Sequence, residues 1–317
     1  MGYKILGCGG YLPKRILKNQ DLDKSLNTSD EWISSRTGIS QRHISEKSEP
    51  TSVLAFEAAK IAIENAKIHK SEIDLVIVCT TTADNVFPSL ATKLHGHLEL
   101  DNQPAFDLQA VCSGFIYGMQ VADAMLKSLK YKTILLVCAE KMSSLLDWAD
   151  RKTCVLFGDG AGALLLKSDD TYSGIIDSDI YSDGKCYNLL YTEGGVGSTG
   201  EIGYLRMNGS EIYKKAIEKM SESVSKIISR NNLCYDDIDY FIPHQANLRL
   251  INALIDRIKI HPSKAITTIQ DHANCSAASI PLALYNCTLT NSVNTGDIIL
   301  FTAFGAGLTW GSIILRW

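Results

Sequence analysis

The chain has 317 residues, of which 45% are hydrophobic and 21% charged, with a net charge of −4. That is enough chain to bury a large core, as one big domain or two fused halves. No basic run or stripe is present, so nucleic acid is not an expected partner. The longest apolar stretches, 134–139 and 298–303, are far too short to span a bilayer, so no membrane insertion is expected.

Residues 1–7 read as a strand entering a glycine turn rather than as a signal peptide. With nine cysteines in no CxxC or CxxC…HxxxH spacing, this points to reduced thiols in a cytoplasmic protein. Thr28-x-x-Glu31 has the form of a capping box opening a short helix, on which Trp32 and Arg36, four apart, share a face. A core tryptophan beside a surface arginine fits the same pattern. Residues 53–66 are helical in pattern and lead into an apolar strand at 73–78. His95-Gly-His97 lacks the further ligands that a metal site needs. A strand at 105–108 runs into Val111-Cys112-Ser113-Gly114. A helix follows, with Phe115, Met119, Ala122, Leu126 and Leu129 on one face. After a strand at 134–137, Phe157-Gly158-Asp159-Gly160-Ala161-Gly162 reads as a tight hairpin before a strand at 163–166. Its glycines are not spaced GxGxxG and no helix follows, which argues against a dinucleotide loop. The glycine-rich region 181–210 has little periodicity and reads as a long functional loop or flap.

The remainder repeats the plan. A helical pattern at 212–229 leads into a strand at 238–242, offset by 165 residues from the strand at 73. Strand 298–301 echoes strand 134–137 at an offset of 164. A strand at 266–269 enters Ala273-Asn274-Cys275-Ser276 and another helix, with Cys275 at an offset of 163 from Cys112. These correspondences predict a duplicated α/β unit. Its halves are taken as 1–170, carrying the cysteine elbow, and 171–317. No Pro- or Ser-rich linker separates them, so they should share one core.

Cys112 sits where a strand turns into a helix. Unpaired N–H groups and the positive end of the helix dipole favour a thiolate there, and such placement draws a cysteine from about 8.5 into the ~3.5–7.5 range. A buried structural cysteine is the other reading. His244 lies at the end of an apolar strand in Pro243-His244-Gln245-Ala246-Asn247, with Asn247 as a plausible N-cap for the helix of Leu248, Ile251, Ile255 and Ile258. Asn274 lies on the elbow opposite Cys112, either as an N-cap or as a neutral donor near the thiol. A thiol with two hydrogen-bond donors suits stabilising an enolate.

Thr28-Ser29-Asp30-Glu31-Trp32, Arg36-Thr37-Gly38-Ile39, Phe157 to Gly162, Pro243 to Asn247 and Phe304-Gly305-Ala306-Gly307-Leu308-Thr309-Trp310-Gly311 together closely resemble the β-ketoacyl-acyl carrier protein synthase III family, over nearly the whole chain. The resemblance implies the duplicated thiolase-type α/β fold, layered α-β-α-β-α with two pseudo-twofold-related halves. It also implies a ping-pong condensation that starts a fatty acid chain. An acyl-CoA, commonly acetyl-CoA, acylates Cys112, and the oxyanion is held by the N–H groups of Cys112 and Ala306. Malonyl-acyl carrier protein then loses carbon dioxide while His244 and Asn274 hold the enolate. No metal or redox cofactor is implied. By the same resemblance Trp32 and Arg151 sandwich the adenine of CoA, with Thr28 and Arg36 at the same mouth. Phe87 closes the acyl pocket of a homodimeric partner, and Phe304 belongs to the acyl pocket. Lys214, Arg249 and Arg257 are positioned to receive the acidic carrier protein.

Three positions depart from the family pattern: Ala273 and Cys275, where Gly-Asn-Thr-Ser is usual, and Val111 in place of alanine. They leave acyl chain length open. A thiolase would need a second cysteine where this chain has Phe304, and elongating synthases use two histidines where Asn274 replaces one. A relative condensing CoA thioesters to another product, a cysteine thioesterase and a non-catalytic carrier-binding protein are the remaining alternatives.

Overall fold

The computed structural model describes residues 2–22, 24–169, 174–290 and 293–317. The boundary expected between 170 and 171 falls outside the described residues. In chain order the first part contains β1 (Gly2–Tyr11), β2 (Ile16–Lys18), α1 (Asp30–Thr37), β3 (Gln41–His43), α2 (Thr51–Ala66), β4 (Leu75–Cys79), α3 (Leu90–His97), β5 (Ala105–Leu108), α4 (Gly114–Lys127), β6 (Thr133–Lys141) and β7 (Asp159–Asp169). The second contains β8 (Gly174–Ser182), β9 (Leu190–Gly194), β10 (Ile202–Met207), α5 (Gly209–Arg230), β11 (Tyr240–Pro243), α6 (Leu248–Ile258), α7 (Ile269–His272), α8 (Ser279–Leu289), β12 (Ile298–Gly305) and β13 (Thr309–Arg316).

Two sheets carry the duplication. One has the order β1-β7-β6-β4-β5 and the other β8-β13-β12-β11. In both, the first three strands pair antiparallel and the fourth joins in parallel. The parallel fifth strand of the first sheet, β5, has for its counterpart only a parallel bridge between Phe241 and Ala265. The strand expected at 266–269 is therefore not formed. Residues 262–264 make a 3-10 turn and Ile269 already opens α7, so the apolar run is spent on a turn and a helix start.

Strand side chains alternate between faces, and three apolar layers follow from that. Leu75, Ile77 and Cys79 of β4, Ile134, Leu136 and Cys138 of β6, and Ile299, Phe301 and Ala303 of β12 pack with α4 and α8 between the sheets. The intervening residues, such as Val76, Val78, Leu135 and Val137, meet α2 and α3 on the outer face of the first sheet. Leu300, Ile314 and their neighbours meet α5 and α6 on the outer face of the second. The layers are α-β-α-β-α, as expected. Each fully buried Leu or Ile contributes about 1.5–3 kcal/mol. The outer packing is close: a Cβ on Gly9 of β1 would stand 2.1 Å from the Ala58 carbonyl oxygen of α2. Among the described residues no helix is long and apolar enough to cross a membrane.

Two local readings need correction. Residues 157–162 are not a hairpin: Asp159 opens β7, which runs antiparallel between β1 and β6. The buried Asp159 carboxylate accepts from Ser45 N–H, Ser143 N–H and the Ser143 hydroxyl at 2.8, 2.8 and 2.6 Å, so the acidic residue ties two loops to the sheet. The glycines beside it lie where α8 and the 272–274 segment come close, as at Gly162, where a Cβ would meet Pro281 at 2.8 Å. The 181–210 region lines the cavities described below but is not one long loop. It holds the end of β8, a 3-10 segment and the antiparallel pair β9 and β10. Leu190 and Leu205 pack inward on Met142, Leu146 and Phe157, and Arg206 pairs with Glu193 and Asp147 at 2.9 and 3.1 Å.

Candidate active site

The two sheets bring two elbows together. After β5, Val111 takes φ +48°, a conformation a β-branched residue rarely adopts, and a 3-10 turn at Val111–Ser113 leads straight into α4. After Asn274 and Cys275, Ser276 takes φ +49°, and a 3-10 turn at Ser276–Ala278 leads into α8. The backbone therefore aligns Val111 with Ser276 and Cys112 with Ala277, an offset of 165. The offset of 163 drawn from the two cysteines is two residues out of register. The first elbow is held from the second half: the Ser113 hydroxyl donates to the Thr309 carbonyl at 2.9 Å, and the Thr309 hydroxyl to the Ala110 carbonyl at 3.1 Å. A side chain on Gly305 would put its Cβ 2.9 Å from the Cys112 nitrogen, so only glycine admits this approach.

Asn274 is held by its backbone and by one side of its amide. Its N–H donates to Leu156 O at 3.0 Å, and its carbonyl accepts from Gly158 N–H at 3.1 Å. Its Oδ1 accepts from the Ser276 N–H at 2.8 Å, which caps the turn and leaves the NH₂ as the group to donate. The N-cap reading and the donor reading are both met by one side chain.

His244 follows β11 and donates its N–H to Thr302 O at 2.8 Å. Its Nδ1 lies 2.7 Å from the Ser279 hydroxyl, which accepts from Gln245 N–H at 3.3 Å. Burial lowers the His244 pKa to about 3, so the ring is neutral. In the tautomer in which the Ser279 hydroxyl donates to Nδ1, the imidazole proton sits on Nε2 and that nitrogen is a donor.

The thiol does not behave as expected from its place at a helix start. Cys112 is 5% exposed, and burial pushes its pKa up to about 12. A hydrogen bond from Ser276 offsets this in part, and the Glu140 carboxylate adds to it. The resting group is a thiol facing a neutral histidine. Burial outweighs the hydrogen bonds that favour the thiolate.

Cys112, His244 and Asn274 line one cavity of about 340 Å³, which also touches Phe304, Asn247 and Lys152. A second cavity of about 290 Å³ reaches Cys112 as well, lined by Thr81, Met142, Leu205 and Ala306 among others. Phe304 lines the first cavity and not the second, because its place in the alternation of β12 turns it towards α5 and α6.

At α1 the capping box is not formed: Ser29, not Thr28, caps the helix, accepting from Trp32 N–H at 3.1 Å. Trp32 is half-buried, and both the Arg36 and the Arg151 guanidinium lie over its ring, at 4.8 and 5.3 Å from the centroid. Arg151 thus rests on the tryptophan itself, held by the Asn27 carbonyl at 2.7 Å. An adenine between the two has to displace it. The Thr28 hydroxyl is buried without a hydrogen-bond partner among the described residues. The Asn247 amide donates to Arg36 O at 3.3 Å, linking α1 to the cavity rim.

Phe87 is 83% exposed and touches neither cavity of its own chain. Lys214 and Arg249 do not line the cavity; they adjoin Tyr213, which does and whose hydroxyl lies 3.5 Å from Arg249 O. Lys214 is paired with Glu211 at 3.1 Å. Arg257 lies away from the cavity, its Nε donating to the Ser221 hydroxyl at 3.3 Å. The surface is mixed in charge rather than a basic patch. Sequence reasoning missed Lys152 on the cavity wall and Glu140 behind the thiol. A lone carboxylate closing the apolar run 134–139 was the available signal for the second.

Comparison with known proteins bears directly on this geometry. The family model for 3-oxoacyl-(acyl-carrier-protein) synthase III matches residues 106–184, and the model for its C-terminal part matches 228–317. The β-ketoacyl-(acyl-carrier-protein) synthase III proteins of Rickettsia bellii and Rickettsia akari are 56% and 55% identical over 317 residues, covering 100% of each chain. The crystal structure of 3-oxoacyl-(acyl-carrier-protein) synthase III from Aquifex aeolicus superposes with a TM-score of 0.95 at 43% identity, covering 100% of both chains. The chain belongs to the β-ketoacyl-acyl carrier protein synthase III family, the acyl-transferring condensing enzymes that initiate fatty acid synthesis.

Proposed function

We propose that this chain transfers an acyl group, acetyl in the first instance, from acyl-CoA to Cys112 and then condenses it with malonyl-acyl carrier protein. The observation that carries the assignment of roles is the convergence of a buried thiol and two neutral, fixed donors on one cavity. In the loading step the sulfur attacks the thioester carbonyl, and the backbone N–H groups of Cys112 and Ala306 receive the oxyanion. Ala306 beside Cys112 on the second cavity supports that role and favours this cavity for the acyl chain. In the second step the malonyl carboxylate leaves as carbon dioxide, and its electrons flow into an enolate. The His244 Nε2–H and the Asn274 NH₂ donate to the thioester oxygen as charge grows there, and the carbanion attacks the acyl-cysteine. A neutral histidine suits this role, since it donates without giving up its proton.

Trp32, Arg36, Arg151 and Thr28 supply the aromatic face, the cations and the unpartnered hydroxyl for the CoA nucleotide, and Lys152 a cation on the cavity wall. Val86 and Phe87, both strongly exposed, fit a face covered by a second copy, with Phe87 closing the partner's acyl cavity. Lys214 and Arg249 beside Tyr213 fit an acidic carrier. The nine cysteines, all unpaired, suit a reducing cytoplasm.

Intact-protein mass after mixing with acetyl-CoA, and again after adding malonyl-acyl carrier protein, tests the scheme. An acetyl adduct on Cys112 that disappears as acetoacetyl-carrier protein forms is the expected result. Release of free acetate without decarboxylation of malonate, or no adduct with any acyl-CoA, overturns it.

A further inference from the structure

Asn274 can hold an enolate only while its NH₂ stays turned into the cavity. Its backbone is fixed by Leu156 O and Gly158 N–H at 3.0 and 3.1 Å. The amide itself is held at Oδ1, by the Ser276 N–H at 2.8 Å, so the aim of the donor depends on what keeps that N–H in place. Ser276 stands at φ +49°, in the left-handed region that a residue other than glycine keeps only under restraint. The restraint comes from the other half of the molecule. The Ser276 hydroxyl donates to Oε1 of Glu140 at 3.1 Å, and both residues are fully buried.

Glu140 is the last buried residue of β6. Its Oε2 accepts from the Thr81 N–H and the Thr82 hydroxyl at 3.0 and 2.8 Å. The neighbouring Lys141 is turned away, its ammonium donating to the carbonyls of Glu46 and Glu49 at 2.6 and 2.9 Å. Burying a carboxylate that is not paired with a cation is costly, and burial raises this one to about 7 against the pull of Thr81, Thr82 and Ser276. What the carboxylate supplies is acceptors on every side. One oxygen anchors it to the loop after β4, and the other fixes the direction of the Ser276 hydroxyl.

We propose that Glu140 is a positioning residue for the decarboxylation step: through Ser276 it holds the Asn274 amide with its NH₂ towards the enolate oxygen. This rests on Asn274 as an enolate donor. The contacts run from Thr81 and Thr82 through Glu140 and Ser276 to Asn274, and each link is a hydrogen bond between 2.8 and 3.1 Å. They join the halves where their work meets, since Thr81 lines the second cavity and Asn274 the first. Without the hydroxyl bond the turn at Ser276 is free to relax, its N–H leaves Oδ1, and the amide rotates. The backbone of Asn274 stays where Leu156 and Gly158 hold it. The donor is then present but aimed only part of the time, so the loss is smaller than loss of the amide itself.

The test is a double-mutant cycle on carbon dioxide release from malonyl-acyl carrier protein. The full chain is first acetylated by acetyl-CoA and checked by intact mass, so that loading stays out of the measurement. Ser276→Ala keeps the N–H and removes the hydroxyl, and it should slow release by about tenfold. In the Asn274→Ala background the same change should slow it by less than about twofold, because no amide is left to aim. Glu140→Gln keeps an oxygen for Thr81 and Thr82 and turns its NH₂ towards the serine. It should show the same dependence on Asn274 at a smaller loss, about threefold, and it carries the test alone if Ser276→Ala does not fold or is not acetylated. An equal fold loss with and without the Asn274 amide overturns the proposal, since a merely structural role slows the step in both backgrounds. Release at the wild-type rate from either single variant overturns it too. If Asn274→Ala itself releases carbon dioxide at the wild-type rate, the donor role of Asn274 fails, and the positioning role goes with it.

Discussion

The two elbows share a backbone and divide the chemistry between them. Each turns through a residue at positive φ, Val111 or Ser276, and passes by a 3-10 turn into a helix of the middle layer; the first follows the edge strand β5, whereas the second follows the short α7 and has a further positive-φ residue at Ala273. At the position after the turn residue the first half carries Cys112 and the second Ala277. Two residues before it the first carries Gln109 and the second Asn274. A nucleophile needs a helix start and room on one side. A donor needs its other atoms tied down, as the Ser276 N–H ties Asn274. Duplication supplied one frame, and the alanine at the equivalent of the cysteine is buried in the middle layer rather than facing the cavity. What distinguishes the elbows is side chain, and each can be changed separately.

The largest effect should come from the first. Cys112→Ala is expected to abolish the acyl adduct and lower condensation by about 10³-fold or more, measured by intact mass and product formation. On the second, Asn274→Ala should leave the adduct near wild-type yield while lowering malonyl decarboxylation by about 10²–10³-fold, as for loss of one oxyanion donor. Equal loss in both half-reactions would mean that the elbows do not divide the work. Away from both, Trp32→Ala should raise the KM for acetyl-CoA by about tenfold with kcat nearly unchanged, the scale of a cation–π and stacking site.

The smallest effect concerns stability at the flank of the second elbow. Burial lowers His272 to about 4 and His244 to about 3. Between those values and the usual 6.5 the unfolded chain binds protons that the native state refuses, so this contribution is complete above pH 6.5 and lost as pH falls towards 3. Glu140, raised to about 7, opposes it between pH 4.5 and 7, because there the native state takes up the extra proton. His272→Asn should therefore lose less stability than wild type between pH 7 and pH 5, by about 1 kcal/mol, read from urea unfolding midpoints.

Much of this was legible in the residues. Strand 105–108 is the observed β5, the helical pattern at 53–66 is α2 within two residues, and the trio meets at one cavity. The failures have physical causes. Ile266 to Ile269 has strand composition, but residues 262–264 already turn and Thr268 precedes a helix, so only Ala265 reaches the sheet. The pairing of Cys112 with Cys275 followed the rarer residue type, whereas the register is set by φ at Val111 and Ser276. The acidity of Cys112 was misjudged because a helix start is local and visible, while burial and a carboxylate 28 positions further on are neither. Lys152 adjoins Arg151, yet only the fold shows that it faces the cavity.

The middle layer has a consequence for how the molecule comes apart. α4 and α8 bury apolar faces against both sheets. Neither sheet can be peeled away without baring both helices to water. The two repeats are obligate companions, and heat or denaturant should melt them in a single cooperative step.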